Sequence, residues 1–395
     1  MKNLLPIGLV CLLVSCAKTN DKSLNPPPQG EKEVCTFGIE SFNLAKREAL
    51  SAEASKKPVK PIKGGGNGGS GGGSTPTTPP PGSPVILLDF DGHKVSGTSW
   101  NYNGDFYCSP ANLATDEMAR IYERVSNDYS PFNIIVTLDE NVYSQAPYNR
   151  RTRVVITESW EWFGQAGGVS FLNSFFDGSS APCFVFSSLL NYNSRHIAEA
   201  ASHEAGHTLS LRHQSTYSNC VKTQEYNSGQ GSGETGWAPI MGIGYGQNLT
   251  LWHKGPNSIS CTNIQDDVQI IAGIVGFRAD DHADKRDAAT PLNSALSGAV
   301  NSSSDIDYFS LNLTAPKSIS LIPVNTGAGN AGANADLVLR VYNGNGSLMY
   351  AVNDPAVLHA STTFSAGSYY LSVAAAGNTN TGTYGMLGKY IISSN

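Results

Sequence analysis

The stretch His203-Glu204-Ala205-Gly206-His207-Thr208-Leu209-Ser210-Leu211-Arg212-His213 decides how the chain is read. Asn193 or Ser194 can cap a helix running from about Arg195 to about Leu209, so the first two histidines fall on one helical face. Residues four apart in an α-helix lie within about 40° of each other and about 6 Å along the axis, which lets both imidazoles face one cation. His213 is different: in a continued helix it would stand rotated by roughly 240° from His207 and about 9 Å farther along. A third imidazole joins the pair only if the helix stops soon after His207 and the chain bends back. Zinc takes nitrogen ligands at about 2.0–2.1 Å in tetrahedral array, and a pair of histidines on one helical face supplies two of its corners rigidly.

Around this helix, Val85-Ile86-Leu87-Leu88-Asp89-Phe90, Asn133 to Leu138, Arg153 to Thr157 and Pro182 to Phe186 read as strands rich in β-branched and aliphatic residues. Residues 114–128 place Met118, Ile121, Tyr122 and Val125 at helical spacing. Strands mixed with helices imply an α/β unit, a twisted sheet carrying the histidine helix, over residues 85–278. After Phe277 helical periodicity vanishes. Strand-like runs recur at Ile306 to Thr314, Ser318 to Val324, Asp336 to Tyr342, Ser347 to Val352 and Ser368 to Ala374, with turns such as Asn343-Gly344-Asn345-Gly346 between them. Residues 279–395 are therefore expected to form an all-β antiparallel sandwich.

The chain has 395 residues, 15% of them charged, and a formal net charge of -6, which lacks the basic excess that nucleic-acid binding needs. Lys2 precedes an apolar stretch, Leu4 to Val14, too short to span a bilayer, and residues 1–15 read as a signal peptide. Leu13-Val14-Ser15-Cys16 resembles a bacterial lipobox, which implies acylation of Cys16 and a membrane-anchored, extracytoplasmic protein; a plain secretory signal is the alternative. Residues 16–84 read as a leader and linker. Within them Ser41 to Lys57 can form a short helix, Gly64 to Pro84 is a Gly/Ser/Thr/Pro tether, and no core is expected before Val85.

Disulfides are permitted outside the cytoplasm. Beyond Cys11 and Cys16 the cysteines are Cys35, Cys108, Cys183, Cys220 and Cys261, and the simplest accounting is two bridges and one leftover thiol. Three pairings of the last four are open; Cys108 with Cys183 and Cys220 with Cys261 is the one favoured, because the second bridge would staple the loop after the histidine helix.

The histidine pattern resembles that of the metzincin metallopeptidases, in which HExxHxxGxxH is followed by a methionine-containing turn. The resemblance implies that His203, His207 and His213 hold zinc and that Glu204 is the general base. Met241, in Ala238-Pro239-Ile240-Met241-Gly242, would shape the floor of the site. Ser210 stands where that family usually has glycine. Serine at a bend that needs φ > 0 costs on the order of 1 kcal/mol, so the turn is either strained or differently built. Tyr245 follows the methionine by four residues, where some relatives have a tyrosine two residues on that touches the metal or the tetrahedral intermediate; packing is its other reading. In that family an edge strand precedes the helix and pairs with the substrate peptide, a role that falls on Cys183 to Phe186 unless that run is an ordinary core strand.

Leu88-Asp89-Phe90-Asp91-Gly92-His93, residues 128–137 and residues 252–267 resemble bacterial secreted metzincins of the reprolysin-like branch. Residues from about Asp280 are similar to the bacterial pre-peptidase C-terminal domain, on the strength of Asp305-Ile306-Asp307-Tyr308-Phe309 and Gly367-Ser368-Tyr369-Tyr370-Leu371. Taken together, the expected activity is zinc-dependent hydrolysis of peptide bonds in extracellular protein substrates. The competing reading is a silent surface adhesin with a zinc-stabilised domain, against which Glu204 speaks, since a purely structural site has no use for it. Asp266-Asp267 and Asp280-Asp281 are candidate calcium ligands, with simple solvation as the alternative. Cys35 is a candidate zinc-blocking thiolate in a latent form, or else a free or intermolecularly paired thiol.

Overall fold

The computed structural model describes residues 33–38, 80, 82–325 and 332–394. The signal segment, Cys16, the helix expected within 41–57 and nearly all of the Gly/Ser/Pro tether lie outside these residues. No helix among the described residues is long and apolar enough to cross a membrane.

One sheet organises the first unit. Its strands are β1 (Val34–Phe37), β2 (Val85–Asp89), β3 (Ile135–Thr137), β4 (Arg151–Thr157), β5 (Gly168–Phe171) and β6 (Cys183–Phe186), in the order β1-β5-β6-β4-β2-β3. β3, β2, β4 and β6 are parallel, while β5 runs antiparallel to β6 and β1 antiparallel to β5. The continuous apolar run of β2 follows from this position, because a strand flanked on both sides in a covered parallel sheet buries every side chain.

The helices are α1 (Thr115–Asp128), α2 (Glu140–Gln145), α3 (Ser194–Thr208) and α4 (Asp267–Val275). α1 buries Met118, Ile121 and Val125 and leaves Tyr122 exposed. α3 starts at the Asn193 side chain, which accepts from the Arg195 and His196 amides at 3.0 and 3.1 Å. Everything from Ile197 to Thr208 is buried.

Two expectations fail here. β6 is an interior strand with β4 and β5 on its two sides, so Cys183 to Phe186 is not the edge. The segment before Val85 does enter the core: β1 is buried along its whole length and forms the outermost strand beside β5.

The cysteines follow from the same geometry. Cys220 and Cys261 are bonded, as expected. Cys108 and Cys183 are separate buried thiols, because the sheet stands between them. Cys183 and Val185 face the α3 side, whereas Cys108 packs with Phe184, Phe186 and Trp100 on the other face. Cys35 is disulfide-bonded, which leaves no thiolate to block a metal.

The second unit is a sandwich of two sheets. One contains β7 (Thr290–Pro291), β9 (Ile306–Leu313), β11 (Leu337–Asn343), β12 (Leu348–Val352) and β14 (Gly367–Ala375), in the order β7-β9-β14-β11-β12. The other contains β8 (Leu296–Val300), β10 (Lys317–Pro323), β13 (Ala360–Phe364) and β15 (Gly388–Ser394), in the order β8-β15-β10-β13. All pairings but that of β7 are antiparallel. β9 shows the alternation that puts one face inside, with Asp307, Phe309 and Leu311 buried in turn.

Candidate metal centre

The helix break that the spacing demands is present, and its chemistry is visible. Leu209 ends α3, Ser210 takes φ +76°, the Ser210 amide donates to His207 O at 3.0 Å and the Leu211 amide to Gly206 O at 3.1 Å. This pair of bonds with a left-handed residue between them is a Schellman stop, built on serine where glycine is the cheap choice. The chain then doubles back and brings His213 to the first two histidines. Ring centroids stand 4.6 Å apart for His203 and His207, 4.8 Å for His207 and His213, and 5.2 Å for His203 and His213. One ring nitrogen from each lies within 4.8 Å of the others.

Each imidazole is held by its Nδ1. His203 Nδ1 donates to Ile240 O at 2.8 Å, His207 Nδ1 to Leu211 O at 2.7 Å, and His213 Nδ1 to Glu225 Oε1 at 2.7 Å. A carbonyl oxygen can only accept, so in the first two rings Nδ1 carries the proton and Nε2 keeps its lone pair. Burial, with the neighbouring histidines adding to it, pulls His203 and His207 well below the usual imidazole range and keeps them neutral. His203 Nε2 and His207 Nε2 are buried with no hydrogen-bond partner. Two orphaned nitrogens aimed at one point, with a third imidazole beside them, is the donor set that zinc prefers.

Glu204 lies wholly buried next to the triad. Its Oε2 accepts from Ser170 Oγ at 2.6 Å, and Oε1 has no partner. Burial pushes its carboxyl well above the usual range, opposed by the Ser170 hydroxyl and a hydrogen bond from the Phe37 backbone. Room for this carboxylate comes from Gly168 on β5, where a Cβ would stand 2.6 Å from Glu204 Cγ. Met241 is fully buried beneath the helix, with its Sδ 2.6 Å from where a Cβ on Gly206 would be, so the methionine dictates glycine at that position. Tyr245 is buried but lies against Phe37 and His196, with centroids at 5.1 and 4.4 Å. The tyrosine nearest the histidines is Tyr226, 4.5 Å from His213 and 6.2 Å from His203.

Glu225 and Tyr226, adjacent in sequence, escape a reading by motif, because they reach the site only when the chain has returned past the Cys220 turn. Glu225 stays below the usual carboxylate range despite burial, since the hydrogen bonds from His213 and Lys222 outweigh it. Lys222 Nζ donates to its Oε2 at 2.7 Å. Ser170 and Gly168 are equally silent in sequence. Phe37 had a faint signal, the apolar Val34-Cys35-Thr36-Phe37 in a polar leader.

The chain matches no protein-family model and no curated protein sequence. Among solved structures it is similar to the pre-peptidase C-terminal domain of a collagenase from Bacillus anthracis. That likeness has 15% identity and a TM-score of 0.21, and covers 30% of this chain and 98% of that one. It is also similar to Aeromonas hydrophila PliG, a periplasmic inhibitor of g-type lysozyme, at 10% identity and a TM-score of 0.18, covering 27% of this chain and 96% of that one.

The two acidic pairs part ways. Asp266 caps α4 and accepts from Tyr384, while Asp267 is buried and accepts from the His253 amide at 3.0 Å, Gln265 at 2.9 Å and Gln214 at 3.1 Å. Both are committed to holding the fold. Asp280 and Asp281 instead converge with Asp307, one carboxylate oxygen of each lying within 4.8 Å of the others. Asp305 Oδ1 and Asp307 Oδ1 are buried there without a partner.

Proposed function

We propose that the chain is a zinc-dependent endopeptidase of the metzincin type. The observation that carries this reading is the convergence of His203, His207 and His213 beside a buried glutamate, with the Nε2 atoms of His203 and His207 lacking any hydrogen-bond partner. A zinc ion held by the three histidines would supply a Lewis acid and lower the pKa of a water toward about 7. Glu204 takes the proton of that water as it attacks the peptide carbonyl, and hands it to the departing amine. Ser170 fixes the carboxylate for this task, and Tyr226, whose ring lies against His213, is the residue in reach of the carbonyl oxygen. Glu225 holds His213 in place and keeps its Nδ1 occupied.

Calcium at Asp280, Asp281 and Asp307 is a further part of the proposal, supported by the buried oxygens without partners. The sequence supports a lipid anchor at Cys16.

The test is cleavage of casein by the full chain carrying Glu33→Ala and Phe37→Ala, which loosen β1 over the histidines, loaded with zinc, with and without a chelator, beside the same chain with Glu204→Gln. The Glu204→Gln chain should retain its zinc and lose about 10²- to 10⁴-fold in kcat, and the chelator should abolish the reaction. Equal rates with and without Glu204 would contradict the assignment.

A further inference from the structure

His203, Glu204, His207 and His213 all have 0% solvent exposure, although a peptidase must admit a protein chain to such residues. Residues 33–38 of the leader contribute to this cover, the Phe37 ring lying against His203, together with the Tyr226 ring over His213. β1 pairs with the outer edge of β5 in antiparallel register, Val34 opposite Phe171 and Phe37 opposite Gly168. The Gly167 amide donates to Phe37 O at 2.7 Å and the Leu172 amide to Glu33 O at 2.9 Å, continuing the ladder at both ends. Arg212, the residue before His213, grips Glu33 with both terminal nitrogens, the second at 2.5 Å. Cys35 is disulfide-bonded as well.

The placement of one peptide bond within this strand is specific. Thr36 O accepts from the Tyr226 hydroxyl at 2.5 Å, and Phe37 pairs with Gly168, against which the Glu204 side chain lies. The bond between Thr36 and Phe37 thus has a tyrosine on its carbonyl oxygen and runs beside the glutamate. The Phe37 ring lies 4.2 Å from His203, with Tyr245 at 5.1 Å and Tyr226 at 6.1 Å forming the rest of its pocket. Gly38 follows where the Tyr226 ring leaves little space, a Cβ there lying 3.2 Å from it.

We infer that Glu33–Gly38 is a substrate-like strap that keeps the site shut, and that the groove it fills takes an extended peptide with an aromatic side chain where Phe37 sits. Backbone pairing along β5 supplies affinity with little regard to sequence, and the pocket of His203, Tyr226 and Tyr245 supplies the choice. This inference rests on the peptidase reading for what the groove is for, but the occupancy of the groove can be tested apart from catalysis.

The experiment uses the full chain with Glu33→Ala and Phe37→Ala together, which loosen the strap without altering the metal ligands or Glu204. Hydrogen exchange of the β5 amides should rise at least tenfold in the double variant while the β2 amides, reporting on the fold, stay protected. A labelled peptide Glu-Val-Ser-Thr-Phe-Gly, with serine in place of Cys35, should bind the double variant in a Glu204→Gln background and not the wild-type chain. Its Phe→Ala version should bind at least tenfold more weakly. Casein cleavage by the double variant with Glu204 intact should exceed wild type at least tenfold. Peptide binding and exposed β5 amides without cleavage would keep the strap and remove the peptidase reading. Wild type that cleaves as fast as the double variant, or that binds the peptide equally well, would overturn the strap and leave the peptidase reading standing.

Discussion

Ser210 shows how far a local pattern carries. The spacing of the three histidines requires a helix stop between the second and third, and residue 210 supplies it at φ +76°, a conformation that costs a side-chain-bearing residue about 1–2 kcal/mol. Ser210→Gly should therefore stabilise the chain by up to about 1 kcal/mol, part of the relief being offset by the greater freedom of glycine in the unfolded chain. Calorimetry should show a small rise in melting temperature, and a fall would mean the serine side chain does something the backbone does not reveal. The histidines, Glu204 and Met241 were legible because their chemistry is written in consecutive turns of one helix and one tight turn. Glu225, Tyr226 and Ser170 were not, since each arrives from elsewhere through a chain path that no spacing rule encodes. Tyr245, for which the sequence left open a place at the metal or plain packing, has its ring against Phe37 and His196, while Tyr226 stands beside the histidines.

At the level of the element, the strands that the sequence displays are those with several β-branched residues or a clean alternation, such as β2, β4 and β9. β1 and β5 are four residues each, buried throughout, and carry no periodicity to read. The cost was specific: without β5, the interior strand β6 is mistaken for the edge. β9 places a further consequence on its inward face. Burial first, and the carboxylates of Asp305, Asp281 and Asp280 after it, push Asp307 up to about 8, against the hydrogen bond from Tyr390. In metal-free protein both folded and unfolded states hold this proton below pH about 4. As the pH rises toward 8 the unfolded carboxyl ionises and the folded one resists, so stability is lost through that window. Asp307→Asn should thus gain on wild type by at least about 2 kcal/mol at pH 8 in chelator, and by much less at pH 4.5, in urea titrations. Calcium should reverse the order at pH 8 by stabilising only the wild type. An identical difference at both pH values would show that the acidic cluster does not carry this strain.

Across the whole molecule the two units are less separate than their textures suggest. One apolar cluster runs from Phe37 and the α3 residues into Phe309, Leu371 and Ile392 of the sandwich. Asn334 sits buried at the junction, donating to Asp128 at 2.7 Å and to Thr250 O at 2.7 Å, while Asn127 donates to it at 2.6 Å. Asp128 in turn accepts from Ser202 of α3, so the sandwich is coupled by hydrogen bonds to the helix that carries the histidines. The boundary near Ala279 was legible as a change of texture, but a buried asparagine at position 334 gives no sign in sequence of the partner it will meet. The peptidase chemistry proposed for this chain depends on one divalent ion being held by His203, His207 and His213. Anomalous diffraction from crystals of the full chain, recorded just above and just below the zinc absorption edge, tests this most directly. The expected result is a single strong peak, present only above the edge, within about 2.1 Å of Nε2 of all three histidines. A well-ordered triad in zinc-supplemented crystals with no peak between the rings would contradict it.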